Sequence, residues 1–192
     1  MRTRLLVAAL ALAGGACTVS FHVGASPSAP APSPTIAAKT AEAHGVSFAY
    51  PASWHELAAG PGEGSSTLDI TVSPDDESFV RVQRFPVLLN VTPDRLPTLR
   101  GQLRKLVVRV ASQVNGTVAE QLTRDDTAGH PGYRATLSVS SAKGNPATEI
   151  LYIFFSATDE YTLGCEYTAA TKAEVLGACD LARTTFSAPA PT

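Results

Sequence analysis

Residues Ile150-Leu-Tyr-Ile-Phe-Phe155 are six consecutive apolar side chains. Successive side chains of a strand point to opposite faces, so a strand made of this run is stable only when both faces are covered. The run therefore predicts a central strand inside a layered domain. Its surroundings supply further strands with period-2 alternation, the mark of half-buried strands. Val46, Phe48 and Tyr50 form one, stopped by Pro51; Leu68, Ile70 and Val72 form a second; Val80 and Val82 form a third. Thr117 to Thr123 reads as a fourth, Tyr133, Ala135, Leu137 and Val139 as a fifth, and Tyr161, Leu163, Cys165 and Tyr167 follow the central run. Lys143-Gly-Asn-Pro146 between two of these strands is a hairpin loop.

Two segments change to helical spacing. Leu96, Leu99, Leu103, Leu106, Val107, Val110 and Val114 recur at i+3 and i+4, with Pro97 suited to the first turn, so a helix is predicted from near Leu96 to before Asn115-Gly116. Thr171-Lys-Ala-Glu174 has the spacing of a capping box ahead of a last helix. That helix presents Val175, Ala178, Cys179, Ala182 and Phe186 on one face.

The start of the chain has a different character. Met1-Arg-Thr-Arg4 is basic, Leu5 to Ala13 is apolar, and Gly14-Gly-Ala16 precedes Cys17. This is the anatomy of a secretory signal. The apolar run is well short of the roughly 20 residues that span a hydrocarbon core. A cysteine directly after small residues resembles the lipobox of bacterial lipoproteins, with Gly14 as the letter that departs from it. The expectation is a signal at 1–16 and a lipid on Cys17; an ordinary secretory signal cut after Ala25 or Ala13 is the alternative. Residues 17–43 then read as the lipidated cysteine and an unfolded tether, because Pro27, Pro30, Pro32 and Pro34 alternate with Ser and Ala and offer little to bury. The folded domain is expected over 44–187, with a Pro/Ala tail at 188–192.

The three cysteines fit this scheme. A lipid on Cys17 leaves Cys165 and Cys179, both on apolar faces, as an even pair that an oxidising compartment could join. Two buried thiols are the other reading. A bridge closing a loop of that size contributes about 3 kcal/mol in the chain-entropy model.

Composition excludes more than it assigns. With 15 Lys+Arg against 17 Asp+Glu, the balance is not that of a nucleic-acid binder. His22, His44, His55 and His130 have no metal-ligand spacing, and Asp75-Asp-Glu77 lacks the pattern of a calcium loop, so it reads as an exposed acidic turn. No serine sits in a G-x-S-x-G elbow, and the glycines at 60–64 match no phosphate loop. No cofactor, metal or catalytic residue is expected. Trp54 reads as core. Arg100, Arg104, Lys105 and Arg109 of the first helix spread over about half its circumference, so a solvated face competes with contact to anionic lipid heads or a wall polymer.

In this order of elements, the motifs Gly45-Val-Ser-Phe48, Tyr50-Pro51, Trp54, Gly132-Tyr-Arg-Ala135, the strand to Phe155, Tyr161-Thr-Leu163 and Thr185-Phe-Ser187 resemble the PsbP-like fold, and among its members the LpqN-type lipoproteins of actinobacteria. The resemblance implies an α+β domain, an antiparallel sheet with helices packed on both faces in an α/β/α sandwich. It implies assembly or binding work and carries over no functional residue. The expected function is thus a cell-envelope lipoprotein, exported and held on the outer face of the membrane by Cys17, with a non-enzymatic adaptor domain for an envelope protein or wall polymer. A carrier of an apolar small molecule, held near Tyr152, Phe154 and Trp54, is the alternative. An enzyme with an unfamiliar site is the third.

Overall fold

The computed structural model describes residues 37–57, 66–88, 90–156 and 158–189. The expected signal, Cys17, His22, the tether up to residue 36 and the glycine-rich 60–64 segment lie outside the described residues. Among the described residues, nine strands and two helices follow in the order β1 (Ala38–Ala43), β2 (Val46–Pro51), β3 (His55–Leu57), β4 (Leu68–Ser73), β5 (Phe79–Pro86), α1 (Leu96–Gln113), β6 (Thr117–Arg124), β7 (Gly132–Ser140), β8 (Pro146–Ser156), β9 (Asp159–Thr168) and α2 (Lys172–Thr185). Strands β3 to β9 form one antiparallel sheet in the order β3-β4-β5-β9-β8-β7-β6, while β1 and β2 form a separate hairpin.

The sheet divides the core in two. On one face, Ile70, Val82, Phe154 and Leu163 meet α2 and the β1–β2 hairpin, with Phe48 and Trp54 between them. On the other, Leu137, Leu151, Ile153 and Phe155 meet α1 through Leu96, Leu103, Val107 and Ala111. Strand β8 feeds both layers, as the apolar run requires. The fold is the expected α+β antiparallel sheet with helices on both faces.

Two boundaries differ from the expectation. The last six residues of the expected tether are β1, and His44-Gly45 is the turn of a hairpin rather than the start of the domain. Both turn residues have positive φ, 53° and 76°. That pair is the geometry of a two-residue turn whose twist matches the flanking strands. The expected tail also begins on the domain: Ala188 packs on the α2-side core, and Ser47 and Ser187 exchange both backbone hydrogen bonds at 2.9 and 2.8 Å.

The capping box does not form. Thr171 makes no side-chain cap bond to the helix; its Oγ1 instead accepts from the Thr168 amide at 3.1 Å and pairs with the Ser78 hydroxyl at 2.7 Å. Glu174 turns to the hairpin side, where its Oε1 accepts from Trp54 Nε1 at 2.7 Å. A buried indole N–H without an acceptor is costly, so this tertiary bond outweighs a local one at an exposed helix start. Arg183, near the end of α2, ties it to the β6–β7 connection, 2.6 Å from Asp125 and 4.4 Å from the centroid of the Tyr152 ring.

Cys165 on β9 and Cys179 on α2 are bonded, with Cα atoms 6.0 Å apart and a sequence separation of 14. Both are buried in the layer under α2. Replacing both, as Cys165→Ala/Cys179→Ala, is expected to lower unfolding stability by about 3 kcal/mol. Urea unfolding of wild type and variant checks this; an unchanged midpoint would show that the bridge adds nothing.

Candidate functional site

Helix α1 packs over β6 and β7 and reaches β8, leaving β4, β5 and β9 without a described helix on that face. On β7, and on β8 from Leu151 to Phe155, this face is apolar. On the open half its inward alternation turns polar. Register places Asp69 beside Gln83, Gln83 beside Thr162, Arg81 beside Gly164, and Glu166 of β9 directly opposite Glu149 of β8. Gly164 is buried, and the side chains of the others are part-buried.

Their bonds tie them into one cluster. Arg81 engages Asp69 in a two-point ion pair, with Nε at 2.9 Å from Oδ1, and Gln83 Nε2 donates to Asp69 Oδ2 at 3.2 Å. Glu149 lies across the hollow left by Gly164: a Cβ there would stand 2.7 Å from Glu149 Oε1 and 4.0 Å from the Phe79 ring. Burial pushes the Glu149 carboxyl up to about 7 against the pull of the Arg81 charge. Glu166 is likewise pushed up to about 7, by burial first and then by the facing Glu149 charge. Glu160, further along β9, is raised by burial. Two carboxylates in register on neighbouring strands repel when both are ionised.

The residues singled out from the sequence are distributed elsewhere. Arg100, Arg104, Lys105 and Arg109 are all exposed, and α1 splits them into pairs. Arg100 Nη2 donates to the Leu122 carbonyl at 3.3 Å and Arg104 Nε to Gln121 Oε1 at 3.0 Å, both against β6. Lys105 and Arg109 sit on the outward side at helical spacing. Trp54 is core, 1% exposed. His44 and His55 are exposed in the hairpin turn and on β3. His130 rests against Phe154 and Phe186, with centroids 6.2 and 5.9 Å away, and burial holds its imidazole below the ordinary range. These histidines share no cleft.

Asp75 caps its own turn, accepting from the amides of Glu77 and Ser78 at 2.8 and 2.7 Å. Glu77 accepts from Asn145 Nδ2 at 2.9 Å, so the acidic turn braces the β7–β8 loop. Among the described residues, no group of three or more His, Cys, Asp or Glu is arranged to hold a metal ion.

The polar half-face was not singled out from sequence. Its signal is there: charged or amide side chains at Arg81, Gln83, Glu149, Glu160 and Glu166 occupy the alternation that is apolar on β7 and on β8 from Leu151 to Phe155. Only the strand order shows that these positions share a face.

No protein-family model matches the sequence, and no curated protein matches it either. Among solved structures, the cyanobacterial PsbP (CyanoP) of Synechocystis sp. superposes with a TM-score of 0.57 at 14% identity, covering 81% of this chain and 94% of that one. LpqN of Mycobacterium tuberculosis, described as involved in cell envelope biogenesis, gives a TM-score of 0.46 at 12% identity, covering 80% and 92%. The first of these likenesses shows the fold: a PsbP-like α+β sandwich.

The raised carboxyls set a pH dependence. The folded state holds protons on Glu149 and Glu166 that the unfolded chain releases near the ordinary value of 4.5. Where the folded state binds more protons, stability falls as pH rises. Unfolding stability is therefore expected to decline between about pH 4.5 and 7 and to level off above, and Glu166→Gln should flatten the decline. Urea unfolding across that range checks it; the same slope in both proteins would refute the assignment. Gly164→Ala should drive the Glu149 carboxylate off its hollow and move its pKa toward the ordinary value, read by NMR of the side-chain carboxyl.

Proposed function

We propose that this chain is a cell-envelope lipoprotein, held on the outer face of the membrane by a lipid on Cys17, whose PsbP-like domain is a non-enzymatic binding module. The surface we assign to binding is the open half-face around Asp69, Arg81, Glu149 and Glu166. One observation carries this: two part-buried carboxylates face each other there and contribute no apolar packing. Such an arrangement costs stability, and perturbed carboxyls gathered on one surface are a recurring sign of function. Asp69 and Arg81 are engaged with each other and the cluster spreads over a broad sheet, which suits a protein partner better than a small molecule.

The bond between Cys165 and Cys179 supports the anchor reading, because it leaves Cys17 as the remaining cysteine. The carrier alternative is not favoured by what surrounds its expected residues. Trp54 and Phe154 are 1% and 0% exposed, and the Phe154 ring is packed against Tyr161 and Phe186 at 5.7 and 4.8 Å. His44, His55 and His130 stand on a hairpin turn, on β3 and in the β6–β7 connection, which does not favour the enzyme reading.

The test is photo-cross-linking in intact cells from a reactive residue at position 162 on the half-face, with position 184 on the exposed side of α2 as control. One reproducible protein adduct from 162, absent from 184 and abolished by Glu166→Lys, is expected. The same adducts from both positions, or none from 162, would remove the half-face as a binding surface. The anchor is tested separately: Cys17→Ala should release the protein into the medium with its fold intact. A variant held in the membrane fraction as firmly as wild type would show that Cys17 is not the anchor.

A further inference from the structure

The outer surface of α1 has a charge distribution that packing does not require. From residue 95 to 119 the sequence holds Arg95, Arg100, Arg104, Lys105 and Arg109 and no acidic residue. That is a third of the 15 basic residues of a chain whose formal charge is −2. All five are exposed. A helix that only needs solubility mixes signs, because oppositely charged residues at i,i+4 support it and like charges there weaken it. Here Arg100/Arg104 and Lys105/Arg109 are both like-charged i,i+4 pairs, and the first turn has no acid to complement its N-terminus. Between the pairs the surface is small or apolar: Gly101, Ser112 and Val108, the last 51% exposed.

Beside this surface, α1 and β6 enclose an open recess of about 290 Å³ lined by Arg100, Gly101, Arg104, Gln121 and Leu122. The bonds from Arg100 to Leu122 and from Arg104 to Gln121 hold both guanidinium groups at it. A planar guanidinium matches the oxygens of a phosphate. We infer that the outer face of α1 docks on an anionic bilayer, with the recess offering its arginines to headgroup phosphates. The inference rests on the anchored reading for its setting, since a tethered domain meets that surface continually. Each basic residue brought to an anionic membrane adds about 1 kcal/mol, and the attraction is screened within a Debye length.

The experiment uses the full chain carrying Cys17→Ala, so that no lipid contributes, in co-sedimentation with vesicles of phosphatidylcholine alone and of phosphatidylcholine mixed with phosphatidylglycerol. Partition onto the neutral vesicles measures what the apolar leader does by itself. The gain from phosphatidylglycerol is the quantity read. Lys105→Glu/Arg109→Glu is expected to reduce that gain by about tenfold or more, and added salt to erase it. Lys143→Glu/Lys172→Glu makes the same change in net charge at exposed positions away from α1, and is expected to retain most of the gain. Equal losses in the two variants would reduce the effect to net charge and overturn the inference, as would no gain in the Cys17→Ala parent. Capture of soluble polyphosphate by the Cys17→Ala parent without any gain on anionic vesicles would also overturn it, and assign the face to a free polyanion. Because every protein in the experiment lacks Cys17, its outcome is independent of whether that residue is the anchor.

Discussion

A strand with large apolar side chains at every position from Leu151 to Phe155 persists in water only between two covers, and the chain provides one of each kind. Helix α2 and the β1–β2 hairpin close one side; α1 closes the other. Strand β8 thereby fixes the number of layers and puts its neighbours β7 and β9 at the centre of the sheet. The covers are unequal in width. The α2 side extends across the sheet to β4, whereas α1 stops at β8, and this inequality leaves the half-face on which the polar cluster sits.

The Arg81–Asp69 pair and the Glu149–Glu166 pair are consequences of that half-coverage. Under a helix, the same side chains would be stripped of water and opposed charges could not repay the loss. In the open, Glu149 and Glu166 would titrate as ordinary surface carboxyls. Part-buried on the half-face, the two pairs keep enough water to remain polar, and Glu149 and Glu166 lose enough of it to be pushed up to about 7. Gly164 contributes by absence, since any larger residue would occupy the hollow over which Glu149 lies.

Much of the fold was legible because apolar alternation reports burial directly. Val46, Phe48 and Tyr50, the repeat through α1, and the placement of Cys165 and Cys179 on facing apolar surfaces all read correctly. What was not legible depended on partners distant in sequence. Ala38-Lys-Thr-Ala-Glu-Ala43 has no large apolar residue, and only Ala41 of it is buried; it becomes a strand because β2 folds back on it through two positive-φ residues. The Thr171–Glu174 spacing was real, but Trp54 and Ser78 competed for those side chains and won. The carboxylate pair was hidden for the same reason: Glu149 and Glu166 are each unremarkable until register sets them opposite each other.

The bridge between Ser47 and Ser187 has a consequence in time. Hairpin β1–β2 is not part of the seven-stranded sheet, and its main companion is α2, the last element of the domain. A chain emerging N-terminus first forms this hairpin early by a local turn and then holds it with no surface to pack on. An isolated two-stranded hairpin is marginal in water. Closure waits until almost the whole domain has followed, and contacts between such distant segments are slow to form. The final step of folding is therefore the capture of the first element by the last, and shortening the chain at its C-terminus would release residues at the opposite end.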